Sequence, residues 1–261
     1  MGTAVEAFEI GPEGVSLQAA GRTFEGNLLV GADGLHSFVR ESHFGVVPHP
    51  LNFRSYRWVV PNTVEAEHFM EFMGHGMALG VLPLSQEELF LWLSVHARPG
   101  EPSAASDLEP FKALVGRFTH PVVERSLQVL TDASSVLCTD IHEVTMEEYY
   151  RGRCVLLGDA AHAMSPSMGT GSALAMGDAV ILAHQLGRVV RGEADYPVAL
   201  HEYYLHRFPK VEAMRSLTRG VDADHHAGEL SVVRYRDARL EAWLHDGQAA
   251  ADLARSLGGE L

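Results

Sequence analysis

A carboxylate at the end of a short apolar run, with glycines close behind it, has the clearest chemistry in this sequence. Arg153-Cys154-Val155-Leu156-Leu157 has the character of a buried parallel strand and runs into Gly158-Asp159-Ala160-Ala161-His162. Open α/β sheets bind ligands beyond the carboxyl ends of their strands, which is where this junction would place Asp159. A loop with Pro166, Gly169, Thr170 and Gly171 follows, and residues 174–190 then carry apolar side chains at helical spacing. Glycines allow close backbone approach to a ligand, and a helix starting near Gly171 and Ser172 would aim its positive end at the same place. An anionic or electron-rich cofactor suits such a cluster. The competing reading is a strand-to-helix turn whose small residues serve packing alone.

Other constellations carry less. No GxSxG occurs, which argues against a serine hydrolase. His201 and His206 are five apart, so on a helix they do not share the face that HExxH provides. Asp222, Asp224, His225 and His226 are sequence neighbours that point in different directions on a helix, and no metal site is expected there. The fingerprint GxGxxG is absent, since Gly169-Thr170-Gly171 has Leu174 where the third glycine belongs.

The elements that must position these residues follow from pattern. Alternation over 5–10 and 15–19 around Gly11-Pro12-Glu13-Gly14 predicts a hairpin. A short apolar strand over 27–30 ends in Gly31-Ala32-Asp33-Gly34 and is followed by helical character to Glu41, a second strand, loop and helix. Across 48–139 the texture is that of a sheet with one buried face, as where Leu89, Leu91, Leu93 and Val95 alternate with Phe90, Trp92 and Ser94; short helices are expected at 107–118 and 121–130. Helices over 196–219 and 229–257 close the chain. The expected division is thus 1–47 with 140–261, and a sheet lobe over 48–139.

Composition bounds the rest. The chain has 261 residues, 46% apolar and 21% charged, enough for a genuine core. A net charge of −14 disfavours nucleic acid. No apolar run approaches the ~20 residues that cross a bilayer, and MGTAVEAFEI lacks the features of an export signal. Two cysteines without a CxxC pair fit a reducing compartment, so a cytoplasmic protein without integral membrane association is expected.

Two motifs together resemble the class A flavoprotein monooxygenases, the group of the aromatic hydroxylases. Leu29-Val30-Gly31-Ala32-Asp33-Gly34-Leu35-His36-Ser37-Phe38-Val39-Arg40 is similar to that family's DG motif, and the segment from Val155 to Ala179 is similar to its GD motif with the helix behind it. The resemblance implies an α/β fold: an FAD/NAD(P)-binding Rossmann-like domain, incomplete at its N-terminus, with an inserted antiparallel sheet substrate lobe and C-terminal helices. It implies that Asp159 bonds the ribityl chain of FAD with Gly158 allowing close approach, that Pro166 lines the flavin ring, and that N–H groups near Gly169, Thr170, Gly171 and Ser172 face its electron-rich edge. Asp33 and Gly34 would also serve FAD. His36 and Arg40 would help dock NAD(P)H, with a helix-end ion pair as the alternative for Arg40. The activity implied is an FAD-dependent monooxygenase using NAD(P)H and O2 on a small aromatic or hydrophobic substrate. A non-catalytic binding module, a flavin-dependent halogenase or an isoprenoid reductase would share the motifs. Tyr56, Arg57 and Trp58 are pocket candidates by lying on a lobe strand, with core packing as the alternative. The family's opening GxGxxG unit has no counterpart here, so weak FAD binding and either self-association or a completing N-terminal segment are expected.

Overall fold

The computed structural model describes residues 2–245. The chain divides into two compact units, Met1–Leu51 with Ile141–Val221, and Asn52–Asp140 with the chain from Asp222 onward. The described residues after Val221 thus group with the sheet unit, whereas the sequence pattern had placed all the C-terminal helices with the first. The expected helix over 229–257 is described as far as His245; the remainder lies outside the described residues.

In the first unit the expected hairpin is a three-stranded meander, β1 Val5–Ile10, β2 Val15–Ala19 and β3 Arg22–Gly26. The extra strand exists because Ala20 and Gly21, at φ +51 and +67, make the left-handed two-residue turn that matches strand twist. Behind it, β4 Leu29–Gly31 pairs in parallel with Cys154–Leu156, the strand expected before the Gly158-Asp159 junction. Gly31 is held by packing: a Cβ there would lie 2.5 Å from Cδ2 of Leu156 and 3.0 Å from Cγ1 of Val39. That closeness seats α1, Phe38–Phe44, against the sheet. Val155, Leu156, Ala160, Leu182, Leu200 and Tyr203 form the core around the strand pair.

Two long helices follow: one spans Gly171–Val190, and the next begins at Tyr196 and runs to His225, its residues as far as Val221 belonging to this unit. The Gly171–Val190 helix is long and apolar enough by length and composition to cross a membrane, although Asp178, His184 and Gln185 break its apolar residues. Its apolar side chains divide between a buried face and an exposed one bearing Met176 and Val180.

In the second unit five strands lie in the order β6-β7-β8-β5-β9, antiparallel from β6 through β5, with β5 His49–Pro61, β6 Met70–Met73, β7 Met77–Pro83, β8 Glu88–His96 and β9 Leu137–Glu143. The period-two pattern is realised as expected: Tyr56, Trp58 and Val60, Leu79 and Val81, and Leu89, Leu91 and Leu93 share one buried face. Helices α2 Leu108–Val115 and α3 Pro121–Val129 cover it through Phe111, Val115, Val122 and Val123. Tyr56 and Trp58 therefore serve the core, while Arg57 points to the other face.

Candidate functional site

The parallel pairing sets Val155 beside Val30, so the loops after β4 and after Leu156 leave from one carboxyl edge of the small sheet. At the second loop Gly158 adopts φ +60 and ψ −145, a conformation that glycine alone enters without strain. A Cβ there would also stand 3.1 Å from Cβ of Ala175. The chain turns sharply at this point and opens a single helical turn, α4 Asp159–His162. Asp159, the first residue of that turn, is exposed, and its carboxylate has no protein partner among the described residues.

Pro166 opens a 3-10 turn that ends at Gly169, left-handed at φ +63. Thr170 then precedes α5, Gly171–Val190, without capping it through its side chain, and no acidic residue lies in the first turn. The first N–H groups of a 20-residue helix are left without a side-chain acceptor. Gly171 and Ser172 stand at this end, and no atom lies within 4 Å of a Cβ built on Gly171. Gly171 is helical, so what it contributes is room rather than a special torsion. Unsatisfied donors, the positive end of the helix and a free carboxylate make a site for a ligand with both hydroxyl groups and an electron-rich edge.

What holds this cradle was not legible in the motif. Asp178, fully buried on α5, accepts from the Gly158 N–H at 2.8 Å, from His162 Nε2 at 2.5 Å and from Arg207 Nε at 2.7 Å. Burial alone would raise its carboxyl; the donors from His162, Arg207 and Gly158 outweigh that and hold it below its ordinary value. Arg207 extends to the Leu174 carbonyl and lies over Gly177, which has no side chain to obstruct it. The available signal was a single acid on the apolar stripe that Leu182 and Gln185 continue. Nearby, buried Glu143 takes Arg215 at 3.1 Å and Arg219 at 2.5 Å, and Arg215 also reaches the Ala163 carbonyl at 3.5 Å.

The first loop is built differently from expectation. Both oxygens of Asp33 serve the protein: Oδ1 accepts from Ser37 Oγ at 2.5 Å and Oδ2 from the Val39 N–H at 3.1 Å, satisfying donors at the start of α1. Gly34 makes the turn at φ +79. Arg40, expected to dock a nicotinamide, is 0% exposed and donates to the carbonyls of Leu35, Val46 and Ala160 at 2.7, 3.0 and 3.2 Å. It braces the first loop against the second; the ion pair with Glu41 is a long 3.5 Å. His36 is exposed, its ring 6.5 Å from that of His142.

A family model described as FAD binding domain matches residues 2–218. The chain belongs to the FAD binding domain family. Among curated relatives, the aurachin C monooxygenase/isomerase of Stigmatella aurantiaca is 37% identical over 213 residues, covering 78% of this chain and 53% of that protein. The 2-heptyl-3-hydroxy-4(1H)-quinolone synthase of Pseudomonas aeruginosa is 33% identical over 170 residues, covering 62% of this chain and 44% of that protein. Among solved structures, Klebsiella pneumoniae HpxO with FAD and uric acid superposes with a TM-score of 0.78 at 25% identity, over 91% of this chain and 62% of that one. This FAD binding domain is of the class A flavoprotein monooxygenase type, and it spans about half the length of the curated relatives it matches.

Proposed function

We propose that this FAD binding domain holds the flavin of an NAD(P)H- and O2-dependent monooxygenase acting in the cytoplasm on a small planar aromatic substrate. The observation that carries the reading is the cradle at Gly158-Asp159: an exposed unpartnered carboxylate, open space at Gly171, and the uncapped start of α5. These groups fit a flavin. Asp159 would accept from ribityl hydroxyl groups, the N–H groups at Gly171 and Ser172 would face the electron-rich edge of the ring, and Pro166 with Gly169 and Thr170 would line it. Bound FAD supplies the redox chemistry, passing electrons from NAD(P)H to dioxygen. The chain's own part is to orient the ring and to favour negative charge upon it through the helix N-terminus. With Asp33 committed to capping α1, its contribution is to hold the first loop.

The substrate class rests on the relatives, two of which carry names for quinolone chemistry or for an aurachin, while the solved HpxO holds uric acid. The test is an incubation of flavin-loaded protein with 4(1H)-quinolone, NADH or NADPH, and isotopically labelled dioxygen. One labelled oxygen atom in the product, with NAD(P)H consumed, is the expected result. Bound flavin without any quinolone-dependent uptake of label would contradict the proposal.

A further inference from the structure

In the second unit, the sheet face that α2 and α3 cover ends at a cavity of about 380 Å³, and a second of about 540 Å³ adjoins it; His75, Met77 and Arg117 line both. Both volumes fall in the ~300–1,000 Å³ range of small-molecule sites. The loop beside the first cavity is tied down by β5. Arg54 donates to Asp140 and to the carbonyls of Glu101 and Pro102, and the Tyr56 hydroxyl accepts from the Ala104 N–H at 3.2 Å. The turn between β6 and β7 is fixed as firmly. The Gly74 N–H donates to the Met77 carbonyl and the Gly76 N–H to the Ala227 carbonyl, each at 2.8 Å, while Arg236 Nη1 donates to the Gly74 carbonyl at 2.9 Å.

These supports present two side chains that the protein itself does not use. His75, on the pinned turn, and Arg117, just past the C-terminal end of α2, are exposed, and neither side chain has a hydrogen bond or ion pair among the described residues. Arg54 differs, since its donors are taken by the protein. The planar guanidinium of Arg117 offers parallel donors that match a carboxylate or a phosphate, and an imidazole can add one more. Glu101 on the first cavity and Glu71 on the second oppose a doubly charged group more than a singly charged one. Carboxylate is therefore favoured over phosphate. Val95, Leu114 and Met77 supply an apolar wall beside these polar groups. A ligand with an anionic head and an apolar body matches both kinds of lining, whereas a cation would meet Arg117.

We propose that this cavity binds an alkyl carboxylate, its head accepting from the Arg117 guanidinium and from His75, its chain lying against Val95 and Leu114. The site lies within the second unit and goes beyond the monooxygenase reading, which concerns the Gly158-Asp159 cradle. Equilibrium dialysis of octanoate, octanamide and octyl phosphate against the full chain tests it. Octanoate should bind at least tenfold more tightly than octanamide, its uncharged counterpart, and more tightly than octyl phosphate. Arg117→Gln should weaken octanoate tenfold or more and His75→Ala severalfold, with octanamide binding and the melting curve unchanged, since both side chains are exposed. Octanoate bound no more tightly than octanamide, an octanoate affinity untouched in Arg117→Gln, or a preference for octyl phosphate overturns the site. Saturating FAD should leave octanoate bound; its displacement would put the carboxylate in the flavin cradle and overturn the proposal while leaving the monooxygenase reading in place.

Discussion

Asp178 is the side chain on which the Gly158 turn depends, because it gathers a backbone N–H, an imidazole and a guanidinium onto one buried carboxylate. Removing one partner of such a buried cluster costs ~3–5 kcal/mol, so Asp178→Ala should unfold at markedly lower denaturant than the parent; an unchanged midpoint would contradict the role. His226 offers a pH test. Burial first, then His96, pushes its imidazole down to about 4, while Nε2 pairs with Ser94 at 2.8 Å and Nδ1 with the Asp222 carbonyl at 2.8 Å. A folded value below the unfolded one means that the neutral form stabilises the fold above the ordinary histidine range, and that this contribution falls away as pH drops toward 4. The loss amounts to roughly 3 kcal/mol, and His226→Gln should flatten that part of the stability curve. A variant as acid-sensitive as the parent would show that another group sets the slope. The residue types that sequence alone placed well are those at backbone extremes, such as Gly158. Asp33, Arg40 and Asp178 were not legible in their roles, since a carboxylate that caps, a guanidinium that braces and one that binds a ligand look alike until their partners are known.

At the scale of elements, two glycines a short loop apart should respond in opposite ways. Gly158→Ala places a Cβ 3.1 Å from Ala175 in a left-handed conformation, and should destabilise the chain by ~1–3 kcal/mol. Gly171→Val meets open space, and valine is a better helix former than glycine, so the melting temperature should hold at or slightly above the parent's. Its flavin content should nevertheless fall, because the added methyl groups occupy the room before the uncapped helix start. Thermal melts and flavin absorbance on both variants check this; equal flavin content in Gly171→Val and parent would mean that no ring lies against that end. Strands, helices and their order were largely legible from periodicity, because β8 and its neighbours bury one clean face. The third strand of the N-terminal meander was missed because Ala20 takes a left-handed conformation that alanine rarely signals.

For the whole molecule, the exposed side of α5 matters most for behaviour in solution. Met176 and Val180 are 65% and 68% exposed along one helix, with Val190 beyond them, and apolar side chains so grouped favour association. Sedimentation of the chain should therefore show concentration-dependent self-association, reduced by Val180→Glu; a monomer at all concentrations would rule it out. Grouping of the described residues after Val221 with the sheet unit was hidden from the sequence, since the helix over Tyr196–His225 runs unbroken through that position and its side chains there give no boundary signal. The central claim is that the Gly158-Asp159 junction and the start of α5 hold a flavin, and a titration of FAD against parent and Asp159→Ala, read by flavin fluorescence, tests it most directly. Losing a charge-assisted hydrogen bond is worth ~1.5–3 kcal/mol, or roughly ten- to a hundredfold in affinity. Saturable binding by the parent, weakened by that factor in a variant with an unchanged melting curve, is the predicted result; indistinguishable affinities for FAD would contradict it.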